Sequence, residues 1–137
     1  MKIDAKNLIV GRFAVVAAKA ALLGEHVEII NCDMAVISGS RLGIHAEWLR
    51  KAGMGTHRKG PFYDRQPQRL VKRIIRGMLP HKQSKGAMAL DRIKCFSGVP
   101  ATVKKEDFKT IESADLKKLK STRFVTIAEI CKVMGGK

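Results

Sequence analysis

The residues of this sequence that are best suited to bind a partner are its lysines and arginines. Its 137 residues include 27 Lys and Arg against 12 Asp and Glu, which gives a formal net charge of +15. A charge imbalance of this size repels itself, and a polyanion relieves that repulsion most directly. The composition therefore predicts binding to nucleic acid or to an anionic membrane surface.

The positive charge is concentrated in the middle of the chain. Residues 41–94 contain 14 basic and three acidic residues, a net charge of +11, whereas the other 83 residues together carry +4. A helix predicted to follow Pro67 gathers four of the cations within an arc of about 100°. Those cations are Arg69, Lys72, Arg73 and Arg76, and the rest of the circumference is apolar (Leu70, Val71, Ile74, Ile75, Met78, Leu79). Since an ordinary solvated face mixes signs and this one has no acid, we predict that it binds phosphates.

Segments on both sides of this helix extend the basic surface. Residues 56–61 and 81–86 interleave cations with glycine, which lets backbone amides approach phosphates, although a mobile charged loop is the alternative for each. Aromatic residues make up only 5% of the chain, so we expect recognition of folded RNA by shape and phosphates rather than by base stacking. The predicted RNA-binding residues are Arg50, Lys51, His57, Arg58, Lys59, Arg65, Arg69, Lys72, Arg73, Arg76, His81, Lys82, Lys85 and Arg92.

An anionic membrane is the competing polyanion. A helix that binds a membrane surface exposes Trp, Phe or Leu, whereas the apolar side of the helix after Pro67 has the branched aliphatic residues of a core, and the single Trp lies elsewhere. No run approaches 18 apolar residues, and the first residues lack the apolar stretch of a signal peptide. We therefore expect a cytoplasmic protein that makes no membrane contact.

Residue types that catalyse reactions or bind metals are present but scattered. Cys32, Cys95 and Cys131 lie far apart without C-x-x-C spacing, which predicts buried free thiols in a reducing compartment. None of the four histidines stands at a metal-ligand spacing from a cysteine or carboxylate. We predict no catalytic residue, no metal site and no cofactor.

Two alternatives remain open from the residues alone. A strand at residues 8–10 followed by Gly11 and an apolar helix is similar in outline to the start of a Rossmann-like layer, which would suit an RNA-modifying or nucleotide-dependent enzyme. It has one glycine where the dinucleotide-binding motif needs three. The other alternative is a free translational regulator that binds messenger RNA through the same basic surface.

Hydrophobic patterning predicts the elements that position these residues. We expect strands at residues 8–10, 27–30, 35–37 and 95–96, the third of them as a separate strand or an extension of the same layer. We expect a first helix at residues 13–23, which ends at Gly24, and a second from the N-cap Ser40 to about residue 52. A third helix is expected from Pro67 to about residue 79 and a fourth at residues 84–93. The last helix is expected at the C-terminus, after a capping box formed by Thr126 and Glu129. Residues 97–120 are expected to be loop-rich. This order predicts an α/β layer structure with parallel pairing, in one domain spanning residues 1–137.

Residues 58–86 also carry a pattern typical of a known family. The stretches Arg58-Lys59-Gly60-Pro61-Phe62, Arg76-Gly77-Met78-Leu79-Pro80-His81-Lys82 and Lys85-Gly86 resemble the universal large-subunit ribosomal protein family that classical numbering places thirteenth. Residues 11–14, 29–31, 36–39 and 91–100 fit the same family, so that the resemblance covers roughly residues 3–100. The specific 76–82 stretch, the short link after Leu23 and the lack of a long C-terminal extension are most similar to archaeal members.

The resemblance carries expectations about fold and function. It implies a three-layer α/β fold, a mostly parallel central sheet flanked by helices, with the basic loop and helix in the middle of the chain as an extension. It implies a structural constituent of the large ribosomal subunit that binds ribosomal RNA, contacts neighbouring ribosomal proteins, and supports assembly and translation without catalysis or a small-molecule substrate. Cys32 and Asp33 depart from the Ala-Glu expected after Asn31, at a position expected to be structural.

Overall fold

A computed structural model describes residues 1–101 and 107–136 and shows a mixed α/β fold. A mostly parallel sheet with α-helices packed around it confirms the predicted fold class. The part of the chain that the structure describes holds five strands and five α-helices. In chain order they are β1 (Lys2–Asp4), α1 (Val10–Leu22), β2 (Val27–Ile30), β3 (Val36–Ser38), α2 (Arg41–Ala52), α3 (Pro67–Gly77), α4 (Ser84–Asp91), β4 (Ile93–Cys95), β5 (Phe124–Thr126) and α5 (Ile127–Val133).

The central sheet has the strand order β1-β2-β4, and all its pairs are parallel. The register places Ile3 beside Ile29 and Ile29 beside Cys95. Ile29 and Ile30, which are neighbours on β2 and point to opposite faces of the sheet, are both fully buried. A parallel strand covered on both faces reads in the sequence as a continuous apolar run, which is why Val27–Ile30 was predictable.

The third predicted strand belongs to a different sheet. β3 pairs antiparallel with β5, so that Ile37 lies beside Val125 and Ser38 beside Phe124. Of the two alternatives for residues 35–37, the separate strand is confirmed and the extension of the central layer is wrong. The partner strand β5 was not predicted. The two strands are nearly ninety residues apart in the sequence, and no local pattern indicates such a partner.

Helix α1 begins earlier than the sequence predicted. Residues 8–10 were expected to form a strand and Gly11 a turn, but Leu8 and Ile9 make only isolated bridges, and Val10 and Gly11 are already helical. The side of α1 that faces the core is mostly alanine behind Phe13, and these small side chains let α3 and α4 pack closely against it. Gly24, with φ +103°, follows the helix as the predicted stop.

Helix α3 is amphipathic, as predicted. Leu70, Val71 and Ile75 are fully buried, and the helix ends at Gly77, just before the predicted end. Helix α4 also ends early, because Ile93 opens β4 and pairs with Val27. Gly86 fits α4 tightly against the preceding turn, since a Cβ there would lie 2.1 Å from the carbonyl oxygen of Pro80.

The C-terminal elements close the core on the side of α3. Thr126 Oγ1 accepts a hydrogen bond from the amide of Glu129 at 3.3 Å, which confirms the predicted cap of α5. Residues 102–106 of the segment predicted to be loop-rich lie outside the described residues. The described part of residues 97–120 contains short 3₁₀ turns at Glu112–Ala114 and Leu116–Lys118 and isolated bridges from Lys109 to Ile3 and from Asp115 to Leu8.

The cysteines confirm the prediction of free thiols. Cys32 and Cys131 are buried, whereas Cys95 is half-buried. Burial raises the pKa of Cys131 to about 11, and contact with Cys95 together with burial raises the pKa of Cys32. Since the thiolate is the reactive form, both buried groups are inert thiols at neutral pH.

Candidate nucleic-acid interface

The basic side of α3 forms one wall of a shallow groove. Because Leu70, Val71 and Ile75 hold the opposite side of the helix in the core, Arg69 and Arg76 are exposed. Lys72 and Arg73 are half-buried between them. The groove, which we call the α3 groove, measures about 230 Å³ and is lined by all four of these cations together with Asp64 and Leu90. The structure thus brings together the four cations that the helical spacing had grouped.

Two of the four cations in the α3 groove are engaged by the loop that precedes the helix. Arg69 Nη1 lies 3.3 Å from Asp64 Oδ1. Arg73 donates a hydrogen bond to the carbonyl oxygen of Phe62, and its guanidinium stacks 3.8 Å from the centre of the Tyr63 ring. The helix itself bears no acid, as predicted, but the loop supplies one. Lys72 and Arg76 form no ion pair within residues 1–101 and 107–136.

The same loop is anchored on the end of α2. The rings of Trp48 and Tyr63 meet edge to face at 6.1 Å, and Lys51 Nζ lies 5.0 Å from the Trp48 ring. Aromatic pairs and cation–π contacts of this kind order a loop through apolar area and ring electrostatics. A chain of contacts therefore runs from α2 through Tyr63 to Arg73 of α3.

Glu47 neutralises part of the positive charge at the end of α2. Its carboxylate lies 2.9 Å from Arg50 Nη2 and 3.2 Å from Lys51 Nζ. Hydrogen bonds from these two cations lower the pKa of Glu47 to about 2, and the carboxylate in turn raises the pKa of Arg50. At neutral pH the three side chains together present one net positive charge to a partner.

The loop before Phe62 is a tight turn. Thr56 pairs with Gly60 in an isolated bridge, in which the Gly60 amide donates to the Thr56 carbonyl at 2.9 Å. Gly55 sits at φ +80°, where a Cβ would collide with the Gly60 oxygen at 1.8 Å, so only glycine is accommodated. The ordered turn carries three exposed basic residues at its tip: His57, Arg58 and Lys59.

The remaining predicted site residues divide into two groups. His81, Lys82 and Lys85 are exposed on the turn between α3 and α4 and on the first turn of α4. By contrast, Arg65 Nη1 donates to the carbonyl of Gly135 at 3.4 Å, and Arg92 Nη1 donates to the carbonyl of Ala21 at 3.2 Å. A cation at the C-terminal end of α1 stabilises the helix dipole, so Arg92 has a structural partner inside the fold.

Sequence reasoning missed a second group of cations. Arg12, Lys118, Lys120 and Arg123 line a cleft of about 590 Å³, which we call the second cleft, and none of them belongs to the central basic segment. The available signal was the run of four cations between residues 117 and 123. Its link to Arg12, more than a hundred residues earlier, exists only in the folded chain.

The structure also bears on the hypotheses of a nucleotide-dependent enzyme and of membrane binding. Gly11 lies inside α1 rather than in a turn between a strand and a helix, which removes the sequence signal for a dinucleotide-binding turn. Among residues 1–101 and 107–136, His, Cys, Asp and Glu nowhere form a group of three that could hold a metal ion. Every helix in the same residues is too short or too polar to reach across a lipid bilayer.

Comparison with known proteins gives one consistent match. The family model described as "Ribosomal protein L13" matches residues 1–102. The large ribosomal subunit protein uL13 of Methanococcoides burtonii is 41% identical over 135 residues, covering 98% of this chain and 97% of its own length. The uL13 proteins of Archaeoglobus fulgidus and Methanopyrus kandleri are 39% and 38% identical, each match covering 97% of this chain and 86% and 85% of the relative, respectively.

Proposed function

The chain belongs to the ribosomal protein L13 family, and from this we propose that it is a structural protein of the large ribosomal subunit that binds folded ribosomal RNA through its phosphates. The α3 groove is the observation that carries the proposal. It holds four cations on a helix whose opposite side is fixed in the core, so the charges are positioned before RNA arrives. Neutralising phosphates with prearranged cations releases counterions and supplies sequence-independent affinity.

The aromatic side chains support phosphate contacts over base stacking. Trp48 and Tyr63 contact each other, and each also lies against a cation of the protein itself. Their rings are therefore engaged in ordering the loop rather than offered to unpaired bases. Phe62, 65% exposed, is the one aromatic residue beside the groove that is left largely open. Single-strand readers present several such platforms along a groove.

Within this proposal the predicted site residues have two roles. One group is exposed or unpaired and contacts phosphates directly: His57, Arg58, Lys59, Lys72, Arg76, His81, Lys82 and Lys85. The other group holds the RNA-facing segments in place through contacts within the protein: Arg50, Lys51, Arg65, Arg69, Arg73 and Arg92. Both groups belong to one domain of residues 1–137, with the basic segment 41–94 inside it.

The proposed setting is the cytoplasmic ribosome, as the large-subunit names of the relatives indicate. The partners are large-subunit ribosomal RNA and neighbouring ribosomal proteins, and the role is support of subunit assembly and hence of translation. The proposal requires neither a cofactor nor a small-molecule substrate. A family of ribosomal proteins is structural rather than enzymatic, and with Gly11 inside α1 the Rossmann-like alternative has no further support.

The test reverses the two cations of the groove that have no ion-pair partner. We expect the Lys72→Glu/Arg76→Glu variant to fail to enter large subunits, because two attractive phosphate contacts become repulsive. The control, Lys6→Glu/Lys19→Glu, makes the same change in charge at two exposed lysines outside the groove and is expected to be incorporated. Incorporation is measured by gradient sedimentation of cell lysates, with thermal unfolding of each purified protein showing that it folds.

Normal incorporation of the groove variant would remove the α3 groove from the proposal. The same gradients test the messenger-RNA alternative, because a structural protein sediments with large subunits whereas a free regulator remains at the top. A cellular pool found mainly at the top of the gradient would contradict the ribosomal role.

A further inference from the structure

The second cleft lies outside the basic segment of residues 41–94. Its walls come from three separate parts of the chain: the first turn of α1 with Arg12, the turn between β3 and α2 at residues 38–40, and the segment of residues 118–123. It shares no lining residue with the α3 groove. The two are therefore distinct surfaces, and what the second cleft binds has to be argued from its own residues.

The charge of the second cleft is uncompensated. Four cations line it, Arg12, Lys118, Lys120 and Arg123, and no carboxylate does. All four are exposed, and none forms an ion pair in the part of the chain that the structure describes. Arg12 donates one hydrogen bond to the carbonyl of Ser113 at 3.2 Å, which orients it and leaves its other donors available. Cations that line one concave surface without counterions focus a positive field into it.

The walls of the second cleft are held together by backbone bonds. The amide of Gly39 donates to the carbonyl of Arg123 at 3.0 Å, and Ser38 pairs with Phe124 in the β3–β5 sheet. The amide of Arg123 donates to Ser121 Oγ at 3.2 Å, so the turn that carries the cations is itself ordered. Gly39 adopts φ +140°, a conformation that a residue with a Cβ rarely adopts. These bonds fix the segment that carries Arg123 beside the turn that precedes α2.

The residue types that line the second cleft favour the binding of a phosphate backbone. Lysine, arginine, serine and glycine are the residues that proteins use to contact phosphates, and the lining contains no aromatic residue on which a base could stack. Leu119 is its one large apolar residue, too little for the buried centre of a protein–protein interface. Ser40, the residue before α2, also lines the cleft, and its exposed hydroxyl adds a hydrogen-bond donor at the rim.

We propose that the second cleft binds the sugar–phosphate backbone of RNA, so that the chain contacts ribosomal RNA through two separate surfaces. This inference rests on the proposed function, because it takes ribosomal RNA as the partner. It adds that the protein joins two RNA segments rather than lying on one. Two linked contacts raise the overall affinity beyond that of either surface, provided that both RNA segments can be reached together.

The experiment compares four variants with the wild-type protein, three that remove positive charges and one that keeps the charge of the second cleft. The cleft variant carries Lys118→Gln, Lys120→Gln and Arg123→Gln, and a matched variant carries Lys6→Gln, Lys19→Gln and Lys132→Gln, which are exposed and line neither surface. The groove variant carries Lys72→Gln and Arg76→Gln. Each full-length protein is titrated against transcribed large-subunit ribosomal RNA over a series of salt concentrations, and the bound RNA is mapped by hydroxyl-radical footprinting.

We expect the plot of log affinity against log salt to be less steep for the cleft variant, by about two to three in slope. Each lost phosphate contact removes about 0.7–0.9 from the steepness. It should also lose one protected RNA segment while the segment that depends on the groove stays protected. The matched variant should keep both segments, and Lys118→Arg/Lys120→Arg, which keeps the charge, should behave as the wild type.

Two other outcomes separate the claims. If the cleft variant and the matched variant show the same slope and the same footprint while the groove variant loses affinity, the second contact is refuted and the proposed function stands. If the wild-type protein binds the RNA without salt dependence, the proposed function fails and this inference fails with it. Thermal unfolding shows that each variant is folded. This is expected because none of the substituted side chains is buried, and none forms an ion pair within residues 1–101 and 107–136.

Discussion

The α3 groove and the second cleft are lined by four cations each, but they use them differently. In the groove, Arg69 is paired with Asp64, and Arg73 is bonded to Phe62 and stacked on Tyr63. In the cleft no cation faces a carboxylate. In the described part of the chain, the groove therefore has fewer cations without a partner than the cleft, although both are lined by the same number. A count of cations measures the potential for binding a polyanion, whereas their partners determine how much of it is available.

The contrast also concerns stability. Two of the groove cations, Arg69 and Arg73, hold the loop of residues 62–64 against α3, so they contribute to folding. Within the described residues the cleft cations have one side-chain bond among them, from Arg12 to Ser113. The backbone pairing of β3 and β5 positions the segment of Arg123. Removing Arg69 or Arg73 should therefore lower stability, whereas removing a cation of the second cleft should leave it nearly unchanged.

The largest expected difference in stability is between Arg73→Met and Arg123→Met. Arg73→Met removes a hydrogen bond to the Phe62 carbonyl and a cation–π contact with Tyr63, and we expect it to lower the free energy of unfolding by about 1–2 kcal/mol. Arg123→Met should change it by less than about 0.5 kcal/mol, as is usual for an exposed side chain without partners. Urea denaturation followed by circular dichroism measures both. Equal losses would show that the two regions do not differ as proposed.

The substitution Asp64→Asn tests the same comparison through RNA binding, which it should strengthen at the α3 groove. The substitution removes the partner of Arg69 and leaves that cation free for RNA. We expect the slope of log affinity against log salt to become steeper by about 0.7–0.9, the value of one phosphate contact. Stability should fall by no more than about 1 kcal/mol, since the pair is exposed. A slope that stays unchanged would place Arg69 away from the RNA.

The smallest expected effect is the loss at acidic pH of the stability that Glu47 contributes through its ion pairs with Arg50 and Lys51 on α2. The pKa of Glu47 is about 2 in the folded protein, below its ordinary value of 4.5, so its contribution to stability is complete above about pH 4.5 and is lost as the pH falls towards 2. The stability difference between the wild type and Glu47→Gln should therefore be constant near neutral pH and shrink over that acidic range. Thermal unfolding at a series of pH values measures it. A difference that grows in acid would contradict the proposed ion pairs.

Much of the fold was predictable because its signals are local. The apolar run of β2, the stop of α1 at Gly24, the Pro67 start of α3 and the Thr126 cap each depend on residues within one or two turns. The start of α1 was not predictable in this way. Leu8 and Ile9 have the composition of a strand, yet their partners are Asp115 and Val36, and tertiary contacts with those residues limit them to single bridges.

The sequence alone determined the charge, its concentration in residues 41–94, and the arrangement of four cations on one side of α3, because a helical period of 3.6 residues converts spacing into geometry. Only the tertiary structure decided which of those cations remain unpaired, and it alone assembled the second cleft. Arg12, Gly39 and Arg123 meet because β3 pairs with β5 and α1 packs beside them. Contacts between such distant residues depend on the packing of the whole chain, which no local pattern records.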